Sequence, residues 1–413
     1  MTGVTPEVRD PYGLLEPELR EDPYPVYARL HREAPVYYSE GLEAWVAVRY
    51  EDVNAAFRDT RLSSGRTSAF SAGLPDAVRQ KLIPLGRNLA SWTMLMDPPN
   101  HTRLRSLINK AFTPRMAEGL RPRVRALVEE LLDGVAAQGR MDVIEDLSAP
   151  LPVRVIGELL GLPGEDGPRL KRWSDKAALF IGAGRPTLER AEGALEAIVE
   201  LEGYYRGFIA QRRKEPGNDL LSALLHAEEQ GNLLSEQELL STLTMVLFGG
   251  HETMTNLIGL GLLALLRHPE QWEVLQREPE RMAHAVEELL RYDSPVQRAS
   301  RMALEDVELG GQVVRKGQRV WLMMGAANRD PAQFREPDRL DVRREDVRHL
   351  SFAMGPHYCV GAALARMEAQ EVFGALLRRF PRMRLEEGPP LQWLDTAVFR
   401  GVHSLPVVLG PVA

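Results

Sequence analysis

Ser351-Phe352-Ala353-Met354-Gly355-Pro356-His357-Tyr358-Cys359-Val360-Gly361-Ala362-Ala363-Leu364-Ala365-Arg366-Met367-Glu368 is the stretch on which the rest of the chain turns. It holds Cys359, the only cysteine in 413 residues. Ahead of it, Gly355 and Pro356 favour a fixed turn over a helix or strand. Behind it, Gly361 opens a helical run rich in small residues, Ala362, Ala363 and Ala365. The sulfur is therefore expected near a helix N-terminus, where the dipole and free N–H groups stabilise a thiolate. Such a thiolate can attack an electrophile, titrate, or bind a soft metal centre.

Taken alone, a lone cysteine in a cytosolic protein is most often a buried, inert small hydrophobe. Structural zinc wants several Cys/His ligands, and there is no second cysteine. A cysteine protease needs an activating histidine, which sequence does not place. The framing favours a haem-thiolate ligand. Phe352, Gly355, His357, Cys359 and Gly361 fall at the spacing Phe-x-x-Gly-x-His-x-Cys-x-Gly. Here the chain resembles the cytochromes P450, the haem-thiolate monooxygenases. The resemblance implies haem b (iron protoporphyrin IX) with Cys359 as its axial metal ligand. It places Phe352, Gly355, His357, Gly361 and Ala365 around the cofactor. Ala353 stands where the family usually has glycine, and tolerance there is expected rather than loss of haem.

A chain of this length could hold two or three domains or one large, well-buried core. Its composition, 44% hydrophobic and 26% charged, is that of a globular protein and argues against disorder. The net charge of −7 gives no reason to expect nucleic acid. One cysteine excludes an internal disulfide and suits a reducing cytoplasm. The first ten residues carry no apolar signal segment. No apolar run approaches the ~20 residues of a membrane span, Leu257–Leu266 being about half that. A soluble cytoplasmic protein without a membrane anchor is expected. No repeat or composition break marks a second domain.

Along the chain, Pro23–His31 reads as a short helix and Val36–Tyr38 with Ala44–Val48 as a hairpin. Residues 60–94 are rich in Ser, Gly and Pro and read as a long loop. Asp97 or Asn100 could cap a following helix, on which His101 and Arg105 share a face. Isolated, that pair is a solvated basic face; the resemblance implies haem-propionate contacts, as it does for Arg301. Arg298 is expected to face the chamber or solvent. Leu120–Val135, Val153–Leu160, Leu170–Ile181 and Leu188–Arg213 read as helices. By order along the chain, 170–213 resembles the family's lid over the substrate chamber.

Glu236–Leu266 reads as one helix of about 30 residues, apolar nearly all round and therefore buried. Its centre, Phe248-Gly249-Gly250-His251-Glu252-Thr253, is anomalous. Two mid-helix glycines cost about 1 kcal/mol each, and a buried glutamate costs more unless satisfied. Close helix packing with a structurally bonded Glu is one explanation. Room for a flat cofactor beside Gly249 and Gly250, with Glu252 and Thr253 as a catalytic acid–alcohol pair, is the other. The stretch resembles the family's oxygen-activation motif, although Met254 stands where a second threonine is common. Glu288 and Arg291 share a helix face. The resemblance adds Arg339, by position, as the third member of a structural Glu–Arg–Arg network.

The resemblance covers nearly the whole chain. It implies the cytochrome P450 fold as a single domain over residues 1–413, mainly α with small β-sheets. It also implies insertion of one oxygen atom from O2 into a hydrophobic small molecule, by hydroxylation or epoxidation. No flavin or iron–sulfur segment is fused. Electrons would come from NAD(P)H through a ferredoxin or flavodoxin and its reductase, docking on a basic bias at Arg103, Arg105, Lys110, Arg115, Arg343, Arg344, Arg348 and Arg366. A monomer is expected. Candidate substrate contacts come from separate segments: Phe70, Leu89, Trp92 and Met94 from the loop-rich region; Phe180 and Ile181 from the lid. The long helix adds Val246 and Leu247, and the C-terminal half Val296, Ala299, Val398 and Phe399. Their apolar character fits a hydrophobic substrate. A peroxide-driven peroxygenase and a non-enzymatic haem binder are the alternatives; Glu252–Thr253 argues against both.

Overall fold

Ser235 starts the longest helix. Its hydroxyl accepts from the Glu238 N–H, and the Glu238 carboxylate accepts from the Ser235 N–H, a reciprocal cap. The helix runs over Glu236–Arg267 in this computed structural model, which describes residues 10–65, 75–183, 187–227 and 234–410. Leu239–Phe248 and Met254–Leu265 are buried on every face. Other helices therefore surround it: Pro150–Leu159, Gly167–Ile181, Leu188–Lys214, Met282–Tyr292 and Ala362–Arg379 all pack against it. One continuous apolar cluster joins them.

Among the described residues, three small sheets accompany the helices. A 5-stranded sheet has the order 36–39, 44–47, 319–322, 299–303, 62–63. The expected hairpin is its edge, with Val36 opposite Ala47. Ala44–Ala47 then pairs parallel with Arg319–Leu322, and Ala299–Ala303 pairs antiparallel on the far side. This pairing sets Arg301 on an interior strand, between 319–322 and the edge strand 62–63.

Residues 60–94 depart from the loop reading. Asp76–Lys81 and Ile83–Ala90 are helical. Leu82, Leu85 and Leu89 recur at helical spacing and are buried, so the apolar period outweighs the breakers. Neither Asp97 nor Asn100 caps the next helix, Asn100–Ala111, which follows Pro99 without a side-chain cap. Asp97 instead accepts from the Ser63 hydroxyl and from the Ser64 N–H at 2.8 Å.

The third member of the Glu–Arg–Arg network also differs. Glu288 and Arg291 are fully buried and bonded through the guanidinium Nε and Nη2 at 2.7 and 2.8 Å. The second guanidinium on Glu288 is that of Arg344, at 3.1 Å and 12% exposed. Arg339 is 58% exposed and faces Glu336 at 3.7 Å. It contributes only its backbone carbonyl, which accepts from Arg291 and Arg344. The irregular chain after Pro337 turns the Arg339 side chain outward and brings Arg344 back.

Arg344→Met takes one of two cations from a buried carboxylate and is expected to cost about 3 kcal/mol. Arg339→Ala should stay within about 0.5 kcal/mol of the parent. Urea unfolding of both variants checks this, and equal shifts would contradict the network.

Candidate active site

The cysteine loop is held by its backbone. The Cys359 N–H donates to the Phe352 carbonyl at 2.9 Å. Between them the chain passes through left-handed conformations at Ala353 (φ 54) and Gly355 (φ 67). Gly355 adopts this freely. Ala353 does so at a cost of about 1–2 kcal/mol, which gives glycine a physical reason at that position. Gly361 then leads into the helix Ala362–Arg379, as the small-residue run implied. Burial pushes the Cys359 thiol up; the Gly361 N–H, Arg105, Arg366 and the Ala362 N–H all pull it down. Arg366 stacks over Phe352 at 4.5 Å and is fixed by Glu287 at 2.7 and 2.8 Å. Burial alone would raise Glu287, but hydrogen bonds from His349 and Arg366 hold it at about 2.

A second group of polar side chains gathers from separate segments. His101 is 3% exposed, and neither of its ring nitrogens has a partner among the described residues. Its ring lies 4.3 Å from that of His357. His357 Nε2 meets the Ser64 hydroxyl at 3.1 Å, while its Nδ1 is unpartnered among the described residues. Burial and then the charges of Arg301 and His101 hold His357 at about 3. Arg301 is buried on the interior strand Ala299–Ala303. Arg105 donates to the Tyr358 carbonyl at 2.5 Å. Buried donors that repel one another and leave nitrogens unused suit an anionic group. The carboxylates of a haem fit this donor set, with the Cys359 sulfur at the adjoining helix N-terminus.

The glycines of the long helix separate. Gly249 is exposed, and a Cβ there would meet nothing within 4 Å. A Cβ on Gly250 would lie 2.6 Å from Ile156 Cδ1. Gly250 thus serves helix packing, and the expectation that it faces the cofactor is corrected; only Gly249 faces open space. Thr253 donates from its hydroxyl to the Gly249 carbonyl at 2.6 Å. Glu252 accepts from the Asn256 amide at 3.0 Å. Burial pushes its carboxyl up; the Asn256 hydrogen bond pulls it down and Asp175 adds to the rise. His251, buried, sits 3.0 Å from the Ser174 hydroxyl, and burial holds it at about 4, so it is neutral at pH 7. Asp175 pairs with Lys171 at 2.7 Å on a half-exposed face. Ligand atoms of Asp175, His251 and Glu252 lie within 4.8 Å of one another. Asp175 and Asn256 escaped the sequence reading: one comes from another helix, and the other lies one turn beyond the motif.

Among the apolar candidates, Leu89, Trp92, Phe180, Ile181, Val246, Leu247 and Phe399 are at most 9% exposed. Leu247, at 0%, is packed core. Met94 is exposed, and Val296, Ala299 and Val398 are half-buried. Phe70 lies outside the described residues. Phe248, not anticipated, links Trp92 and Phe399. Arg298 faces neither chamber nor solvent: it is buried, stacks on Trp321 at 3.1 Å and donates to the Ala397 carbonyl. A cleft of about 240 Å³ between Leu14–Tyr27 and Trp393–Gly401 is lined by Phe399 and its loop and includes none of the cysteine-loop residues. The basic bias is largely cancelled within the chain. Arg103 pairs with Glu238, Arg343 with Glu278, Arg344 with Glu288, Arg348 with Asp346 and Arg366 with Glu287.

Residues 185–399 match the sequence model of the family described as Cytochrome P450. The chain belongs to the cytochrome P450 family. It is 42% identical over 395 residues to cytochrome P450 107B1 of Saccharopolyspora erythraea, covering 94% of this chain and 95% of that one. Polyketide biosynthesis cytochrome P450 PksS of Bacillus subtilis is 38% identical over 401 residues, 95% of this chain and 97% of that one. The crystal structure of CalO2 superposes with a TM-score of 0.88 at 36% identity, covering 98% and 99%. The protein is thus a haem-thiolate monooxygenase with the mainly helical P450 fold, using haem iron and O2. Among the described residues, no helix is long and apolar enough to cross a membrane.

Ala353→Gly should relieve the left-handed strain and stabilise the protein by about 0.5–1 kcal/mol, net of glycine's greater freedom in the unfolded chain. Thermal unfolding of the haem-loaded protein measures it, and a loss of stability would contradict the strained geometry. The two glycines should respond oppositely to alanine. Gly250→Ala is expected to cost about 1–3 kcal/mol through Ile156, and Gly249→Ala to gain up to about 1 kcal/mol in helix propensity. Urea unfolding of the apoprotein distinguishes them.

Proposed function

We propose that this P450 oxygenates a hydrophobic small molecule of secondary metabolism, by hydroxylation or epoxidation, with Cys359 as the axial thiolate of haem b. The observation that carries the assignment is the sulfur's seat at a helix N-terminus, facing Arg105 and Arg366. When bound, the haem supplies the oxidising chemistry, with electron density from the thiolate favouring O–O cleavage.

The chain's own residues do the rest. His101, Arg105, Arg301 and His357 receive the two cofactor carboxylates, and Gly249 leaves room for the flat ring. Phe352, Gly355, Gly361 and Ala365 shape the loop and helix around the sulfur. Thr253 Oγ1 moves a proton on the open side of Gly249. Glu252 replenishes it: burial pushes its carboxyl up, so it carries a proton to donate more of the time than an exposed or salt-bridged carboxylate does. Asn256 orients that carboxyl, and the half-exposed Asp175–Lys171 pair stands between it and solvent.

NAD(P)H would supply electrons through a ferredoxin or flavodoxin with its reductase. With most of the arginines near the cysteine internally paired, steering of such a partner is weaker than their number implies. A single P450 unit over residues 1–413, monomeric and cytoplasmic, completes the proposal. The name of the PksS relative, a polyketide-biosynthesis P450, supports the metabolic setting.

Two measurements test it. The reduced, haem-loaded protein should show the red-shifted carbon monoxide band of thiolate ligation, and Cys359→Ser should abolish it. In Thr253→Ala, product per reductant should fall by roughly tenfold or more, with the missing electrons recovered as peroxide. Unchanged coupling would remove Thr253 from the relay.

A further inference from the structure

Asn256 stands one turn beyond Glu252 on the long helix, and its amide donates to the Glu252 carboxyl at 3.0 Å. Among the described residues this is the one hydrogen bond to that carboxyl. The oxygen of the same amide is pressed against the C-terminal loop. A Cβ on Gly401 would lie 2.0 Å from Asn256 Oδ1 and 2.7 Å from its Cγ. No side chain fits between them as they stand. Both residues are buried, Asn256 at 2% exposure. Gly401 is not among the glycines of positive φ. The room it leaves, and not an unusual backbone, is therefore the reason for glycine here.

The two backbones are held in place. The Gly401 carbonyl accepts from the Leu394 N–H at 3.0 Å, and Val402 forms a β-bridge with Trp393. The preceding Arg400 N–H donates to the Pro295 carbonyl at 2.9 Å. Its guanidinium donates to Asp293 at 2.8 Å and stacks on Trp393 at 4.0 Å. Asn256 lies within Met254–Leu265, the stretch of the long helix that is buried throughout. A methyl added at 401 would also meet Leu394 Cδ1 at 2.9 Å, the tip of a flexible side chain. On the helix side what yields is the Asn256 amide, which turns about two single bonds. When it turns, its bond to Glu252 is lost. The other titratable groups at that carboxyl are Asp175 and His251, with Lys171 paired to Asp175.

We propose that Gly401 is a positioning residue for the proton donor: its lack of a side chain seats the Asn256 amide against Glu252, so that the C-terminal loop fixes where that carboxyl points. The proposal rests on the relay reading of Glu252 and brings into it a residue from the far end of the chain.

Infrared spectroscopy of the haem-loaded protein tests it, and needs no substrate. The carboxyl stretch of protonated Glu252 is the band lost in Glu252→Gln, and it is titrated through neutral pH. An amide N–H favours the ionised form of its carboxyl partner, so losing it moves the titration upward. Gly401→Ala and Asn256→Ala should each raise the midpoint by roughly one pH unit. The double variant should match either single one, because the methyl acts only through the amide. A Glu252 band that titrates in Gly401→Ala as in wild type overturns the proposal. So does a double variant in which the two shifts add. Should Gly401→Ala fail to take up haem, the double variant decides. Restored uptake shows that the amide is what the methyl displaces, and failure to restore it overturns the proposal. Identical spectra of wild type and Glu252→Gln would remove the proton-holding Glu252 and the proposal with it, a failure told apart by the missing band.

Discussion

A buried sulfur anion has to be surrounded by dipoles and charges that do not move, and most of this molecule serves that requirement. The Cys359 loop is closed by its hydrogen bond to Phe352 and capped by the Gly361 and Ala362 N–H groups. One helix, Met282–Tyr292, then braces it from behind. Its Glu287 holds Arg366 beside the sulfur, and the next residue, Glu288, holds Arg291 and Arg344. Asn328 ties the two together: its carbonyl accepts from Arg291, its side chain accepts from the Leu350 N–H, and its amide donates to the Ser351 hydroxyl. Ser351 in turn donates to the Leu290 carbonyl. The fully buried ion pair is therefore part of the loop's foundation. Buried pairs seldom add net stability over an apolar substitute, but they fix geometry when every donor is used.

Beside the same loop stands a cluster of donors suited to an anion. His101, His357, Arg105 and Arg301 are brought together by a helix, a turn and a strand with no reason to meet unless an anion joins them. Until one does, burial and mutual repulsion keep both imidazoles neutral. Cofactor binding and folding are thus linked: whatever neutralises this cluster favours the native arrangement by its own binding free energy.

Much of this was legible in the residues. The cysteine loop is readable because glycine and proline restrict a backbone in recognisable ways. The long helix is readable because apolar residues dominate Glu236–Leu266 on nearly every face, on both sides of its Gly-Gly-His-Glu-Thr centre. What escaped depended on tertiary placement. Arg339 and Arg344 lie in a stretch with no period, so position along the chain does not say which side chain turns inward. Gly249 and Gly250 look alike until Ile156 stands beside one of them. The helices Asp76–Lys81 and Ile83–Ala90 were hidden by their Ser, Gly and Pro neighbours, although the leucine spacing was present. Phe248 carried a signal as well, an aromatic directly before two glycines, but its partners come from residues 92 and 399.

The parallel pairing of Ala44–Ala47 with Arg319–Leu322 has a temporal consequence. The hairpin made first on the ribosome waits as an open edge while more than half of the chain is synthesised. Cys359 emerges later still. A nascent chain stalled before Arg319 therefore carries an unpaired sheet edge, a feature that chaperones and proteases act on.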